Sequence, residues 1–352
     1  MALGLRRPRL PVNLLRARRY ATVRPVTFVG QPPRLPEKTP PSTLTAPSAL
    51  DALILSKLRN PPKANLPSLV QQYLDNSGHV LDTSLPYESR PNQKRRARED
   101  EDGVYLVAHA AQHDDEYKVS LCSGFMLNVP SEGPSATAGS VLVTCAHTLE
   151  EMRRSPLVSP QLEAGAAHTT TLKSGSYVLS RSDRAEDAPM FHSVASVLSA
   201  LHRPDLLVLS TSASSPPLAR SLPVSPYPAH PGTTVRAHFV VDQEPLEPGW
   251  TPWIGGMWRK WVRGKVLGYR DFAGREAKPG TYDALSHLLF EPLPTPGSSG
   301  GPIVDEESGA VVGVILGTRM DNRVEGVRGW GVPAETIFEM FSLPGLKLKS
   351  KD

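Results

Sequence analysis

From residue 103 to residue 341 the chain is a succession of short apolar runs broken by turn-forming residues. The runs at 104–110, 119–128, 140–146, 177–180, 205–210, 234–241, 260–269, 285–290 and 310–316 have the length and the Val, Leu, Ile and Thr content of β-strands. Between them fall Pro231-Gly232, Pro279-Gly280 and Ser308-Gly309, where proline presets a turn φ and glycine tolerates a positive one. Many short strands at this spacing predict an all-β barrel or sandwich architecture. One segment departs from that pattern. At 333–341, Pro333 suits a first helical turn and Ile337, Phe338 and Phe341 share a face, which predicts a C-terminal helix.

The first hundred residues have a different texture. Gln31-Pro32-Pro33, Thr39-Pro40-Pro41 and Asn60-Pro61-Pro62 interrupt residues 23–100, and their polyproline bias predicts a semi-extended, partly disordered extension. Two short helices are expected inside it. Ser48 caps a segment at 49–58 with Leu50, Leu53, Ile54 and Leu58 on one face, and Pro67 opens a second helix ending near Gly78. Their apolar stripes need a surface, and the β-rich region that follows is the expected one. The stretches 128–139 and 163–170 read as surface loops.

Composition narrows the function classes. The 352 residues contain 36 prolines, roughly a tenth of the chain against a usual share of about 5%, which argues against a mainly helical protein. No run approaches the roughly 18 apolar residues of a membrane-spanning helix. Two cysteines exclude a disulfide scaffold or a Cys-rich zinc module, and the histidine pairs His109/His113 and His192/His202 lack a metal-ligand pattern and read as surface residues, so no metal or cofactor is expected. The net charge of +4 is concentrated at the front: residues 1–20 hold Arg6, Arg7, Arg9, Arg16, Arg18 and Arg19 and no acid. That composition predicts a mitochondrial presequence, and Arg18-Arg19-Tyr20-Ala21 resembles a processing junction. Without those six charges the chain is slightly acidic, so nucleic acid is not an expected partner. The basic run at 94–98 is cancelled by Glu99-Asp100-Glu101-Asp102 and reads as solvated linker.

The densest chemical signal is Gly297-Ser298-Ser299-Gly300-Gly301-Pro302. Three glycines let successive N–H groups point into one concavity, which becomes an oxyanion hole if a nucleophile stands beside it. A serine hydroxyl needs a base and the base needs an orienting group. His147, closing the apolar run Val141-Leu142-Val143-Thr144-Cys145-Ala146, is the candidate base, and Asp205, entering Leu206-Leu207-Val208-Leu209, is the candidate carboxylate.

The order His, Asp, Ser, the Gly-Ser-Ser-Gly-Gly-Pro loop, the Thr-Cys-Ala-His run and the Asp-Leu-Leu-Val-Leu run together resemble the trypsin/chymotrypsin superfamily of serine proteases. Ser123-Gly124-Phe125, Pro296-Gly297 and Gly329-Trp330-Gly331-Val332-Pro333 look most like its HtrA-like (Trypsin_2-type) branch. The likeness spans about 103–341 and leaves no room in this sequence for the PDZ module of many HtrA-like proteins. It implies two six-stranded antiparallel β-barrels, the first over 103–225 with His147 and Asp205, the second over 226–345 with Ser299 and the final helix, preceded by the extension at 21–102. It implies a serine endopeptidase acting on polypeptides through a Ser299-His147-Asp205 triad, with the N–H groups of Gly297 and Ser299 as oxyanion hole. Leu293, six residues before the nucleophile, and Leu316, Gly317 and Thr318 are the implied substrate pocket, shallow and apolar, with no carboxylate to receive Lys or Arg. Residue 298 is Ser where secreted trypsin-like proteases carry Asp, so an activation lock with a freed N-terminus is not expected. Cys122 and Cys145 are expected to be free thiols. The alternative is a trypsin-fold scaffold or chaperone that binds peptides without cutting them.

Overall fold

The computed structural model describes residues 47–86, 103–129, 139–159, 172–181, 189–213, 218, 220–322 and 324–343. The expected presequence, the basic run at 94–98 and nearly all of the two expected loops lie outside them. The first barrel contains β1 (Val104–His113), β2 (Glu116–Met126), β3 (Val141–Cys145), β4 (Lys173–Ser180), β5 (Met190–Leu201) and β6 (Leu206–Thr211). It closes in the order β1-β2-β3-β6-β5-β4, every pair antiparallel. The second is built from β7 (Thr234–Val241), β8 (Thr251–Pro252), β9 (Trp258–Arg270), β10 (Glu276–Ala277), β11 (His287–Glu291), β12 (Pro302–Asp305), β13 (Val311–Asn322) and β14 (Gly326–Pro333). Six of these form the ring β7-β9-β11-β14-β13-β12, closed by the pairing of β9 with β7, while β8 and β10 are two-residue additions to β9. The expected double barrel is therefore the architecture.

Burial on both faces explains why several strands read as continuous apolar runs. All residues of β3 and β6 are buried, as are Val104 to Ala111 of β1. The outer face of the first barrel is covered by two helices, α1 (Ala49–Lys57) and α2 (Leu66–Asp75), the two expected inside the proline-rich segment. Ser48 caps α1 by accepting from Asp51 N–H at 3.1 Å, as its position implied, and Asn65 does the same for α2, accepting from Ser68 N–H at 2.9 Å. Leu50, Ile54 and Leu58 of the first stripe are fully buried, each worth about 2 kcal/mol of transfer free energy.

The segment holds both barrels at once. Leu50 packs on Gly255, in a 3₁₀ turn of the second barrel (Ile254–Gly256); a Cβ there would lie 2.5 Å from Leu50 Cδ1. Asn76 Nδ2 donates to Val197 O on β5 at 2.6 Å, Gly78 N–H to Ala200 O at 2.8 Å, and Leu81 N–H to Met340 O at 2.9 Å. Residues 47–86 are thus a strap, its helices docked as their apolar stripes required and its end stitched to β5 and to the C-terminal turn. The final helix, α4, is shorter than expected, Glu335–Phe338, with its Ile337 fully buried.

Candidate active site

The first barrel supplies two of the expected residues, but not in the way the strand pattern implied. β3 ends at Cys145; Ala146 is already in the right-handed helical region, and His147 is the first residue of a short helix, α3 (His147–Arg153). Leu149 and Met152 bury one side of that helix against the barrel, while Glu150 takes Arg153 and Arg154 on the other. The i, i+3 spacing of Leu149 and Met152 was the available signal for it. Asp205 closes the turn before β6 with φ of +62°, a left-handed conformation that Asp tolerates better than most residues. Ala146 N–H donates to Asp205 O at 3.1 Å, tying that turn to the start of α3.

The consequence is a short contact: His147 Nδ1 lies 2.6 Å from Asp205 Oδ2, so Nδ1 carries the proton and Nε2 is left as the basic nitrogen. Both side chains are mostly covered, 17% and 21% exposed. Burial alone would push the imidazole pKa down; the charge of Asp205 and the hydrogen bond to it outweigh that, and the value is raised above 6.5.

The second barrel supplies the Gly-Ser loop, pressed against the first. A Cβ on Gly300, whose φ is +80°, would lie 2.2 Å from Ser123 O and 2.8 Å from Cys145 N, so only glycine fits. Ser123 of β2 fastens the loop twice: its N–H donates to Ser299 O at 2.8 Å and its hydroxyl to Gly297 O at 3.0 Å. The remaining backbone donors can be followed one by one. Ser298 N–H goes to Thr295 O at 3.2 Å, Gly300 N–H to Ile315 O at 2.7 Å and Gly301 N–H to Ser298 O at 2.9 Å. Among the described residues the N–H groups of Gly297 and Ser299 are left without an acceptor, the pair expected to form an anion-binding concavity. Ser123 entered the sequence reading only through the Ser123-Gly124-Phe125 resemblance, and its anchoring role was not read from it.

Ser299 is 8% exposed, and its hydroxyl donates to Leu316 O at 2.9 Å. His147 Nε2 meets Cys145 Sγ at 3.6 Å instead of the serine. Cys122 and Cys145 are both buried free thiols. Thr144 spends its proton on Ser123 O at 2.7 Å, so Cys122 is the donor in its own 3.2 Å contact with Thr144 Oγ1. Of the implied pocket residues, Leu316 is buried, Gly317 is half-buried, Thr318 is exposed and Leu293 is 50% exposed. Arg319, next to Thr318, stacks its guanidinium 4.3 Å from the Trp330 ring.

The histidines expected at the surface divide. His109 on β1 and His192 on β5 are buried on either side of β4, with Ser176 Oγ 2.7 Å from the first and Ser180 Oγ 2.9 Å from the second; His113 is half-buried and His202 is exposed. Among the described residues no group of three or more His, Cys, Asp or Glu side chains is placed to hold a metal ion, and no helix is long and apolar enough to cross a membrane.

A family model described as a trypsin-like peptidase domain matches residues 122–314, more than half of the chain. No curated protein matches it by sequence. Among solved structures, Deg5 matches at 14% identity with a TM-score of 0.41, over 68% of this chain and 87% of its own. Rv3671c from M. tuberculosis, in the inactive form of a serine-to-alanine mutant, matches at 18% identity with a TM-score of 0.33, over 66% and 82%. The MamO protease domain from Magnetospirillum magneticum matches at 16% identity with a TM-score of 0.35, over 66% and 93%.

Proposed function

The chain belongs to the trypsin-like peptidase family, and from that premise we propose that it is a serine endopeptidase whose catalytic residues are Ser299, His147 and Asp205. The observation that carries this reading is the 2.6 Å contact between Asp205 and His147 Nδ1, which leaves a basic Nε2 at the loop that bears Ser299. In the proposed reaction Ser299 Oγ attacks the carbonyl carbon of a peptide bond while His147 Nε2 takes its proton. Asp205 holds the Nδ1–H tautomer and stabilises the imidazolium that forms. The tetrahedral oxyanion is received by the N–H groups of Gly297 and Ser299, a contribution of about 3 to 4 kcal/mol per donor. Imidazolium then returns the proton to the leaving amine, and a water repeats the sequence on the acyl-enzyme.

The serine must first leave Leu316 O by rotation about its side-chain bonds. That hydrogen bond favours a second reading, a peptide-binding scaffold that holds but does not cut. A fluorophosphonate probe separates the two: covalent labelling lost in Ser299→Ala supports the enzyme, and an unlabelled wild-type protein supports the scaffold.

The six arginines of the acid-free first twenty residues support a mitochondrial site of action, in protein processing or quality control. N-terminal sequencing of the protein isolated from cells is expected to begin within a few residues of Ala21; a chain retaining residues 1–19 would refute import with trimming.

A further inference from the structure

We propose that Thr295 and Ser298 are positioning residues that hold the oxyanion-binding loop in its working shape from the moment the chain folds, an inference that rests on the serine peptidase reading above. Ser298 stands immediately before the nucleophile, is fully buried, and has no part in the proton transfers. β7 is covered along part of its length by β12, where Ala237 pairs with Ile303 and Val235 with Asp305. β12 begins only at Pro302, so beyond it the β7 edge at Val240 meets the loop instead of a strand. Two hydroxyls take the place of the missing ladder. Val240 N–H donates to Ser298 Oγ at 3.0 Å, and Thr295 Oγ1 donates to Val240 O at 2.8 Å. The two hydroxyl oxygens are 2.9 Å apart.

The proton directions in this ring have one solution. Thr295 has a single hydroxyl proton and gives it to Val240 O, so the proton between the two side chains comes from Ser298. The ring therefore runs from Val240 N–H to Ser298 Oγ, from Ser298 Oγ–H to Thr295 Oγ1, and from Thr295 Oγ1–H to Val240 O. Each hydroxyl donates once and accepts once, and both main-chain groups of Val240 are satisfied. Thr295 and Ser298 bracket Pro296 and Gly297, and Ser298 N–H also donates to Thr295 O at 3.2 Å, so the ring fixes both ends of the turn that presents Gly297 N–H. From the other side, Ser123 holds the carbonyls of Gly297 and Ser299. Between these two anchorages the free N–H groups have no alternative acceptor to turn to. A carboxylate at position 298 would need a cationic partner in this buried place; a serine needs only the backbone of β7, so no cleavage event is required to complete the site.

The test uses the full chain with Ser298→Ala, the isosteric Thr295→Val, the double variant and Thr295→Ser. Loss of the ring is expected to lower kcat on a peptide ester or amide by about 10²-fold, with KM within about threefold, since the loop acts on the transition state more than on substrate binding. Fluorophosphonate labelling should slow in parallel, because phosphonylation places an oxygen in the same concavity. Thr295→Ser keeps the hydroxyl and should recover most of the lost kcat, and the double variant should be little worse than the weaker single one, because both break one ring. Amide hydrogen exchange supplies a readout independent of catalysis: over 295–301 it should be faster by about tenfold or more in Ser298→Ala and Thr295→Val, with the first barrel unchanged. Unchanged exchange over that segment, or kcat within threefold of wild type in both single variants, would overturn the positioning role. A wild-type protein that resists the probe, yet shows the exchange difference, would leave the ring in place and defeat the peptidase reading instead.

Discussion

The two barrels prepare their halves of the site to different degrees. In the first, His147 and Asp205 already stand at 2.6 Å, both mostly covered, with the backbone of one tied to the other through Ala146 N–H. In the second, the loop backbone is held from β2 and β7, but the Ser299 hydroxyl faces Leu316 O rather than the base. The contrast follows from what holds each group. A buried carboxylate and an imidazole locate each other by charge, and the low local dielectric strengthens that attraction. A neutral hydroxyl on a single rotatable bond takes whichever acceptor is nearest, here a main-chain carbonyl. Order in the candidate site is therefore strongest where charge is at stake and weakest at the hydroxyl proposed to act as nucleophile.

The sharpest way to break the comparison is to remove each half in turn. Ser299→Ala is expected to abolish probe labelling and lower peptide hydrolysis by about 10⁶-fold while leaving the thermal midpoint near wild type, and His147→Ala should be comparably severe, since nucleophile and base act as one unit. Cleavage surviving in purified Ser299→Ala would move the nucleophile elsewhere. Asp205→Asn removes the charge but keeps the shape, and kcat should fall by about 10⁴-fold. It should also move the pH profile. His147 must be neutral to act, so in the wild type activity is lost as pH falls through a pKa raised above 6.5. With Asp205 neutralised, burial is left as the dominant influence, and the acid limb should shift below its wild-type position. An acid limb that stays in place would disconnect Asp205 from the base.

A smaller effect is expected around Leu293. No carboxylate faces it among the implied pocket residues, and Arg319 lies beside Thr318, so a Lys or Arg side chain before the cleaved bond would enter without a partner. A peptide library should show about 10²-fold lower kcat/KM for Lys or Arg than for Leu, Val, Ala or Met at that position; the opposite preference would show that Leu293 does not line the pocket.

The smallest effect separates the barrels by stability. His109 in the first barrel is held near a pKa of about 4 by burial, and in the second barrel burial, aided by the nearby Arg259, holds His238 near about 3, while burial and Arg319 hold His287 near about 4. Each stays neutral in the fold while the unfolded chain takes up a proton near 6.5, so their contribution is complete above pH 6.5 and declines as pH falls from there toward 4. His147 works in the opposite sense, stabilising below its raised pKa and losing that contribution as pH rises through it. The thermal midpoint should therefore drop between pH 7 and pH 5. His238→Phe, which keeps a ring between Trp253 and Trp261, should flatten that slope; an unaltered slope would assign the acid sensitivity to other groups.

Local pattern was enough for the strands that carry a dense apolar run. β7 falls at Thr234–Val241, where its apolar run lies, and β1, β2, β3, β6, β9 and β13 each contain most of an expected run. It was not enough where polar residues or glycines interrupt the run. β5 carries register shifts at Val194/Ser196 and Val197/Ser199, which break the alternation of its apolar residues. β14 is rich in glycine and is not among the expected strand runs; Gly329 and Gly331 are there because a Cβ on either would press on Phe290 O at 2.8 Å or Val314 O at 2.5 Å. The two helices of the strap follow from their caps and apolar stripes, as does their docking; the local pattern does not carry the contact of Leu50 with Gly255 or the backbone bonds from 76–81 to β5 and the C-terminal turn.

Residue type and local order alone were sufficient to determine the β-rich architecture, the loop 297–302 with its glycines, and the three residues proposed to act together, because turn chemistry, strand propensity and a Gly-rich anion cradle are properties of a few neighbouring residues. Only the tertiary structure could decide that His147 opens a helix, that Ser123 and Val240 anchor the loop 297–302 from opposite sides, that residues 47–86 bind both barrels, and that Ser299 faces Leu316 O. Each of these depends on a partner more than fifteen residues away along the chain, or on the space left once other elements have packed, and no local pattern carries that information.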